Sequence, residues 1–111
     1  MNKAGMGGLL KQAQKMQKDM EKAQESLVDI IVEGTAGGGV VKVTANAAQQ
    51  VQKIQINPEV VDPEDVEMLE DLVLAAVSQA LENAKAVAEE TMSKVTGGMM
   101  PNMGNFKIPG L

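Results

Sequence analysis

The sequence lacks cysteine, histidine, tryptophan and tyrosine, and Phe106 is its only aromatic residue. Without cysteine the chain can form neither disulfides nor the thiolate ligands of zinc and iron–sulfur sites. Without histidine it has no Ser-His-Asp or Cys-His catalytic arrangement and lacks the commonest metal ligand. Aromatic platforms that stack bases, as in RRM-type domains, are missing as well. We therefore expect a protein that is not an enzyme, with no cofactor and no small-molecule substrate.

Long apolar runs are also absent. The longest one, Leu72–Val77, is far shorter than the about 20 residues that a transmembrane helix needs. The segment Met1–Leu10 is interrupted by Lys3 and three glycines, so we expect no signal peptide. Together with the lack of cysteine, these features predict a cytoplasmic protein without a membrane partner.

Arginine is missing too, so all ten basic residues are lysines, against 15 acidic residues and a net charge of −5. The charge is unevenly distributed. Residues 1–27 hold five lysines and three acidic residues, a net charge of +2, whereas residues 28–111 hold five lysines and 12 acidic residues, a net charge of −7. Because arginine supplies the bidentate contact to guanine, any DNA binding by this chain would depend on lysine–phosphate contacts and select bases weakly.

The chain is long enough for one small domain. Residues 1–8 and 97–111 are rich in Gly and Met, and the second segment also contains Pro. We predict a disordered N-terminal segment over 1–8, a single domain over 9–96 and a flexible tail over 97–111. Since the only aromatic residue lies in the tail, the core must consist of Val, Ala, Leu, Ile and Met. A core of these residues gives a domain of this size only marginal stability, which favours self-association.

The first ordered segment has a heptad pattern of apolar residues, with alternating spacings of four and three. This pattern predicts a helix about 28 Å long. Because two of its apolar residues are Ala and two are Met, it suits packing on another surface as well as pairing in a coiled coil. We call this set the heptad seam; it comprises Leu9, Ala13, Met16, Met20, Ala23 and Leu27.

Three segments that alternate apolar and polar residues follow, and they predict an antiparallel meander. The strands are predicted at Val28–Glu33, Val41–Ala45 and Val51–Ile56, with reversals at Gly34–Gly39 and Asn46–Ala48. The predicted fold class is therefore α+β, with a helix, three strands and a second helix (α-β-β-β-α).

The second helix is predicted to start with Asp62 as its N-cap and Pro63 at its first position. Its broad apolar face extends to about Val95, before Gly97. The acidic residues that surround its start lack the ligand spacing and central glycine of a calcium loop, so we predict no metal site. The glycines of Gly34–Gly39 precede a strand rather than a helix, which favours a hairpin loop over a phosphate-binding loop.

The feature most suggestive of a function is a row of lysines on the first helix, spaced by four, three and four residues. They lie opposite the heptad seam, where a row of ammonium groups could follow the phosphates of a duplex. The alternative is an ordinary solvated face with ionic partners one turn away, and the spacing leaves both interpretations open. We call this row the lysine stripe; it comprises Lys11, Lys15, Lys18 and Lys22.

Five segments distributed between residues 9 and 109 carry a family resemblance, which extends over nearly the whole chain: Leu9–Gln17, Gly39–Thr44, Ile56–Glu59, Glu67–Val77 and Asn105–Pro109. They resemble the YbaB/EbfC family of bacterial nucleoid-associated proteins. The resemblance implies an α-β-β-β-α homodimer whose helices project like the arms of tweezers. It also implies that the chain binds double-stranded DNA, associates with the nucleoid and acts in nucleoid organisation and gene expression.

The resemblance further implies which residues contact DNA. By position, the DNA-facing first helix of the family corresponds to the lysine stripe, and two strand lysines are secondary candidates. The full set of expected DNA-binding residues is Lys11, Lys15, Lys18, Lys22, Lys42 and Lys53.

The sequence departs from the family pattern in two places. Ala47 stands where the family commonly has glycine, and since alanine would strain a type I′ turn, we expect a longer loop there. The final helix carries acidic residues such as Glu82, Glu89 and Glu90, where some relatives are more basic. If this helix forms part of an arm, they would weaken DNA contact. A rival interpretation is a protein-interaction module that docks through the heptad helix and binds DNA weakly or incidentally.

Overall fold

A three-stranded antiparallel sheet with two long helices makes up the fold. The structure, a computed structural model, describes residues 2–96. The helices and strands are α1 (Asn2–Ser26), β1 (Ile31–Ala36), β2 (Val41–Asn46), β3 (Val51–Ile56) and α2 (Val66–Thr96), with β2 at the centre of the sheet. The predicted α-β-β-β-α order and antiparallel meander are confirmed.

Helix α1 is longer than the sequence pattern predicts. It begins at Asn2 rather than at Leu9, so residues 2–8 are helical where we predicted disorder. A glycine inside a helix costs only about 1 kcal/mol relative to alanine, and a helix already nucleated by the strong helix formers that follow can extend through Gly7 and Gly8. The predicted tail, residues 97–111, lies outside the described residues.

Strand β1 is shifted from its predicted position. Val28 lies in a short 3₁₀ turn, Leu27–Asp29, and the strand continues through Gly34, which we had assigned to the loop. The cause is the packing of α2 on the sheet, since a Cβ on Gly34 would lie only 2.8 Å from the Cα of Ala80 in α2. The glycine permits close packing of helix on strand, and the hairpin loop shortens to Gly37–Gly39, where all three φ angles are positive.

The second reversal is a longer loop, as expected from Ala47. The positive φ falls on Gln49 (65°), two residues after Ala47, which a two-residue turn would strain. The fully buried Asn46 organises the loop: its Nδ2 donates to Gln50 Oε1 at 2.7 Å, and the Gln50 backbone N–H donates to Asn46 Oδ1 at 3.0 Å.

The start of α2 corrects the predicted cap. The backbone N–H of Met68 donates to Asp65 Oδ1 at 3.2 Å, so Asp65 is the N-cap. Asp62 instead accepts a hydrogen bond from the backbone N–H of Glu64 at 2.9 Å and heads a turn that contains Pro63. Asp62 bonds two residues ahead because proline at the next position favours a turn there.

The core lies between the sheet and α2. Side chains of Val41, Val43 and Ala45 are fully buried, whereas Lys42 and Thr44 between them are only partly buried, as the predicted alternation requires. From α2, small residues pack onto this surface: Ala76, Ala80 and Ala84. Helix α1 packs against α2 rather than on the sheet.

Candidate nucleic-acid interface

Helix α1 runs antiparallel to the C-terminal half of α2. Leu27 lies beside Lys85 and Ala88, whereas Met16, three turns earlier, lies beside Val95. The heptad seam is therefore the packing face of α1. Its burial decreases along the helix, from Leu27, which is 9% exposed, to Leu9, which is 68% exposed. The N-terminal turns of α1 thus project beyond the described end of α2. We call α1 and the C-terminal half of α2, on which it packs, the arm.

The lysine stripe lies on the solvent side of this arm, with all four side chains exposed. It extends over about 16 Å of the helix axis. Gln14 and Gln17 line the same surface as Lys11, Lys15 and Lys18. Their amide groups can donate hydrogen bonds to phosphate oxygens, so the surface combines charge with neutral donors.

The ammonium groups of the stripe are unpaired in the part of the chain that the structure describes. Within the described residues, neither a hydrogen bond nor an ion pair engages any of them, although Glu21 borders the surface. The four lysines are therefore solvated, which agrees both with a DNA-binding surface and with an ordinary solvated face. Four positive charges remain available to an anionic ligand.

Lys42 and Lys53 belong to a different surface. Lys42 lies on the face of the sheet opposite α2, because the flanking Val41 and Val43 are buried against α2 and side chains alternate along a strand. Lys53 pairs with Thr44 in the register of β2 and β3 and so shares this outer face. Since α1 packs on α2, the structure does not bring these two lysines together with the stripe.

The C-terminal half of α2 forms part of the arm. Glu89 lines a groove with Leu27, the residue directly after α1, which places an acidic residue of α2 beside the C-terminal end of the basic helix. Lys85 lines the same groove, and the sequence analysis did not single it out. It stands alone in an acidic stretch, so only the packing of α1 on α2 reveals its position near the basic arm.

A further group of acidic residues lies at the other end of α2. Those from Glu59 to Asp71 precede α2 or lie in its first turns, whereas α1 contacts the C-terminal turns. In residues 2–96, acidic side chains do not converge into a group that could hold a metal ion. None of the helices in that range is both long and apolar enough to cross a membrane.

The chain is similar to proteins of one family along nearly its whole length. The model of the YbaB/EbfC DNA-binding family matches residues 1–99. A nucleoid-associated protein from Caldanaerobacter subterraneus subsp. tengcongensis is 53% identical over 106 residues, which cover 96% of this chain and 89% of that protein. Another from Acetivibrio thermocellus is 54% identical over 111 residues, covering 96% and 93%.

Among solved structures, the crystal structure of an uncharacterized protein from Helicobacter pylori is similar, with a TM-score of 0.58 and 23% sequence identity. The match covers 79% of this chain and 98% of that one. At this level of identity the similarity establishes the fold.

Proposed function

The chain belongs to the YbaB/EbfC DNA-binding family, and on this basis we propose that it is a nucleoid-associated protein that binds duplex DNA through the lysine stripe of α1. Its relatives at about half identity are named nucleoid-associated proteins. The observation that carries the proposal is the stripe itself, four exposed and unpaired ammonium groups along one face of a projecting helix.

Phosphate contacts dominate this mode of binding. Lysines on a helix face give affinity and position on the duplex, whereas base selectivity needs side chains that read groove edges. Without arginine, the chain binds DNA with little preference for sequence. Such binding organises DNA without any chemical step, and it suits a cytoplasmic protein that acts in nucleoid organisation and influences gene expression.

The DNA-binding unit of this proposal is a homodimer. The core supports this, because its largest fully buried side chains are two valines and one asparagine. A core so small gives a domain of this length marginal stability, which association can increase. Two copies would present two lysine stripes to one duplex, and doubling the phosphate contacts multiplies the affinity.

The test is to replace the four lysines of the stripe by glutamine and to titrate a labelled duplex of about 30 base pairs by fluorescence anisotropy. Lysine-to-glutamine changes on an exposed helix face preserve helix propensity, so circular dichroism should show an unchanged fold. We expect the affinity at low salt to fall by at least about tenfold, because the charge–phosphate contacts disappear. Unchanged binding would contradict the assignment of the stripe.

A matched pair of double variants controls for net charge. Lys15→Gln with Lys18→Gln removes two charges from the stripe, and Lys42→Gln with Lys53→Gln removes two from the outer face of the sheet. If binding depended only on net charge, the two variants, each more negative than the wild-type chain by two charges, would lose affinity equally. A larger loss in the stripe variant supports contact through α1, whereas a larger loss in the sheet variant would move the site to the sheet.

A further inference from the structure

The charge of α1 changes sign along the helix. Residues 2–18 hold four lysines and no acidic residue, whereas residues 19–26 hold one lysine and three acidic residues, a net charge of −2. We call residues 2–18 the tip segment and residues 19–26 the base segment. The tip segment contains the turns that project, and the base segment lies along α2.

Helix α2 has the same polarity within the arm, because it runs antiparallel to α1. Val95, near its end, lies beside Met16 of the tip segment. Residues 82–90 of α2 hold three acidic residues and one lysine, whereas residues 91–96 hold Lys94 and no acidic residue. Both helices of the arm therefore carry negative charge near the body of the molecule and positive charge away from it.

The lysines of the stripe differ in their acidic neighbours. On a helix surface, residues three or four positions apart are neighbours, with about 5–6 Å between their Cβ atoms. Lys11 has no acidic residue at these positions, and the two lysines that follow it have one each. Lys22 lies between two acidic residues, Asp19 three positions before it and Glu25 three positions after it. The four lysines are equally exposed, but the potential beside them falls from Lys11 to Lys22.

The helical turn that precedes Lys11 leaves room for a large ligand. Gly7 and Gly8 lie four and three positions before Lys11 and so flank it on the helix surface. A Cβ added at either glycine would meet nothing within 4 Å. The helix backbone is bare beside Lys11, so the backbone of a nucleic acid can approach it closely.

We propose that the duplex lies on the tip segment, centred on Lys11. Asp19 and Glu25 fix this position, because they exclude phosphates from Lys22. The inference rests on the proposed function and refines it, since only part of the stripe then contacts DNA. A phosphate at Lys22 would lie within about one Debye length, about 8 Å, of both carboxylates, which offset the attraction of the single ammonium group. The middle of the base segment is about 17 Å from Lys11 along the helix axis, so its acidic residues are largely screened from a duplex there.

The first test compares Lys11→Gln with Lys22→Gln, which remove the same charge from the same exposed face of one helix. Fluorescence anisotropy with a labelled duplex of about 30 base pairs, at several salt concentrations, measures both variants. We expect Lys11→Gln to weaken binding several-fold and to make the slope of log K against log salt shallower by about 0.9 for each stripe on the DNA. Lys22→Gln should leave affinity and slope at their wild-type values. An equal or larger loss with Lys22→Gln would overturn the inference and leave the proposed function intact, whereas unchanged binding after all four lysines are replaced would overturn the function itself.

A second test removes the two carboxylates, with Asp19→Asn and Glu25→Gln at exposed positions. The duplex should then extend to the base segment, so Lys22→Gln in this background should weaken binding and make the salt slope shallower, as it does not in the wild-type chain. The matched control, Glu59→Gln with Glu64→Gln, removes two exposed carboxylates outside the arm and should leave Lys22→Gln without effect. If Lys22→Gln has as little effect without Asp19 and Glu25 as with them, these residues do not position the duplex and the inference is overturned.

Discussion

Gly34 controls how closely α2 approaches the sheet. It is buried in the middle of β1, and a Cβ there would overlap the backbone of α2 near Ala80. Helix backbone and strand backbone thus touch without intervening side chains. The consequence reaches beyond packing, because Gln79 and Asn83, on the same part of α2, can then bond the β1 backbone.

The first prediction concerns this contact. Gly34→Ala should lower the free energy of unfolding by about 1–3 kcal/mol, since an added methyl group in a packed contact forces the helix away from the strand. For a domain of this size this corresponds to a fall of several degrees in the midpoint of thermal unfolding, measured by circular dichroism. Gly8→Ala is the matched control, because a Cβ there meets nothing within 4 Å and improves helix propensity. Equal losses in the two variants would contradict this account.

Helix α2 has different chemistry on its two flanks. On one flank, amide side chains satisfy the outward-facing backbone groups of β1. The other flank is apolar; α1 covers it near its C-terminal end, and no other described residue covers it beside β3. An uncovered strand edge is a template for pairing with another chain. This helix therefore closes the β1 edge of the sheet and, within residues 2–96, leaves the β3 edge uncovered.

The second prediction follows from the closed edge. Gln79→Ala with Asn83→Ala should change thermal stability little, because water can replace amides at exposed positions. We expect instead that light scattering detects species larger than those of the wild-type protein, since β1 can then pair with other chains. As a control, Gln14→Ala with Gln24→Ala removes two amides from the exposed face of α1 and should leave the mass unchanged. Wild-type behaviour of the first variant would show that the amides do not protect the edge.

The molecule as a whole separates its charges. The basic face lies on the α1 arm, and most acidic residues lie on the body and at the start of α2. At physiological salt the Debye length is about 8 Å, so remote acidic residues are largely screened from a duplex on the arm. The acidic residues of α2 next to α1, Glu89 among them, are not remote and should reduce affinity. A chain with a net charge of −5 can thus still bind DNA.

The third prediction is the salt dependence that this separation implies. A homodimer with two lysine stripes should lose affinity with a slope of log K against log salt of about −7 if all eight lysines meet phosphates, and about −3.5 if half do. Anisotropy titrations at several salt concentrations measure the slope. The variant with four glutamines should show a much shallower slope. A steep slope in that variant would mean that other lysines carry the binding.

The order of the helices and strands follows from sequence patterns alone. Heptad spacing in α1, alternation in β2 and β3, and the apolar face of α2 are local patterns, since each follows from the geometry of one helix or strand. The spacing of the four lysines likewise places them opposite the heptad seam on any helix. The fold class and the candidate stripe could therefore be predicted before any packing was known.

The contacts between these helices and strands depend on the tertiary structure. The sequence pattern predicts a loop at Gly34, and its place in β1 depends on the close approach of Ala80 in α2. The separation of Lys42 from the lysine stripe depends on α1 packing on α2 instead of the sheet. Leu74 of α2 is exposed because α1 covers only half of one flank of α2. These features arise from contacts between residues far apart in the chain, and periodicity within a single segment carries no information about them.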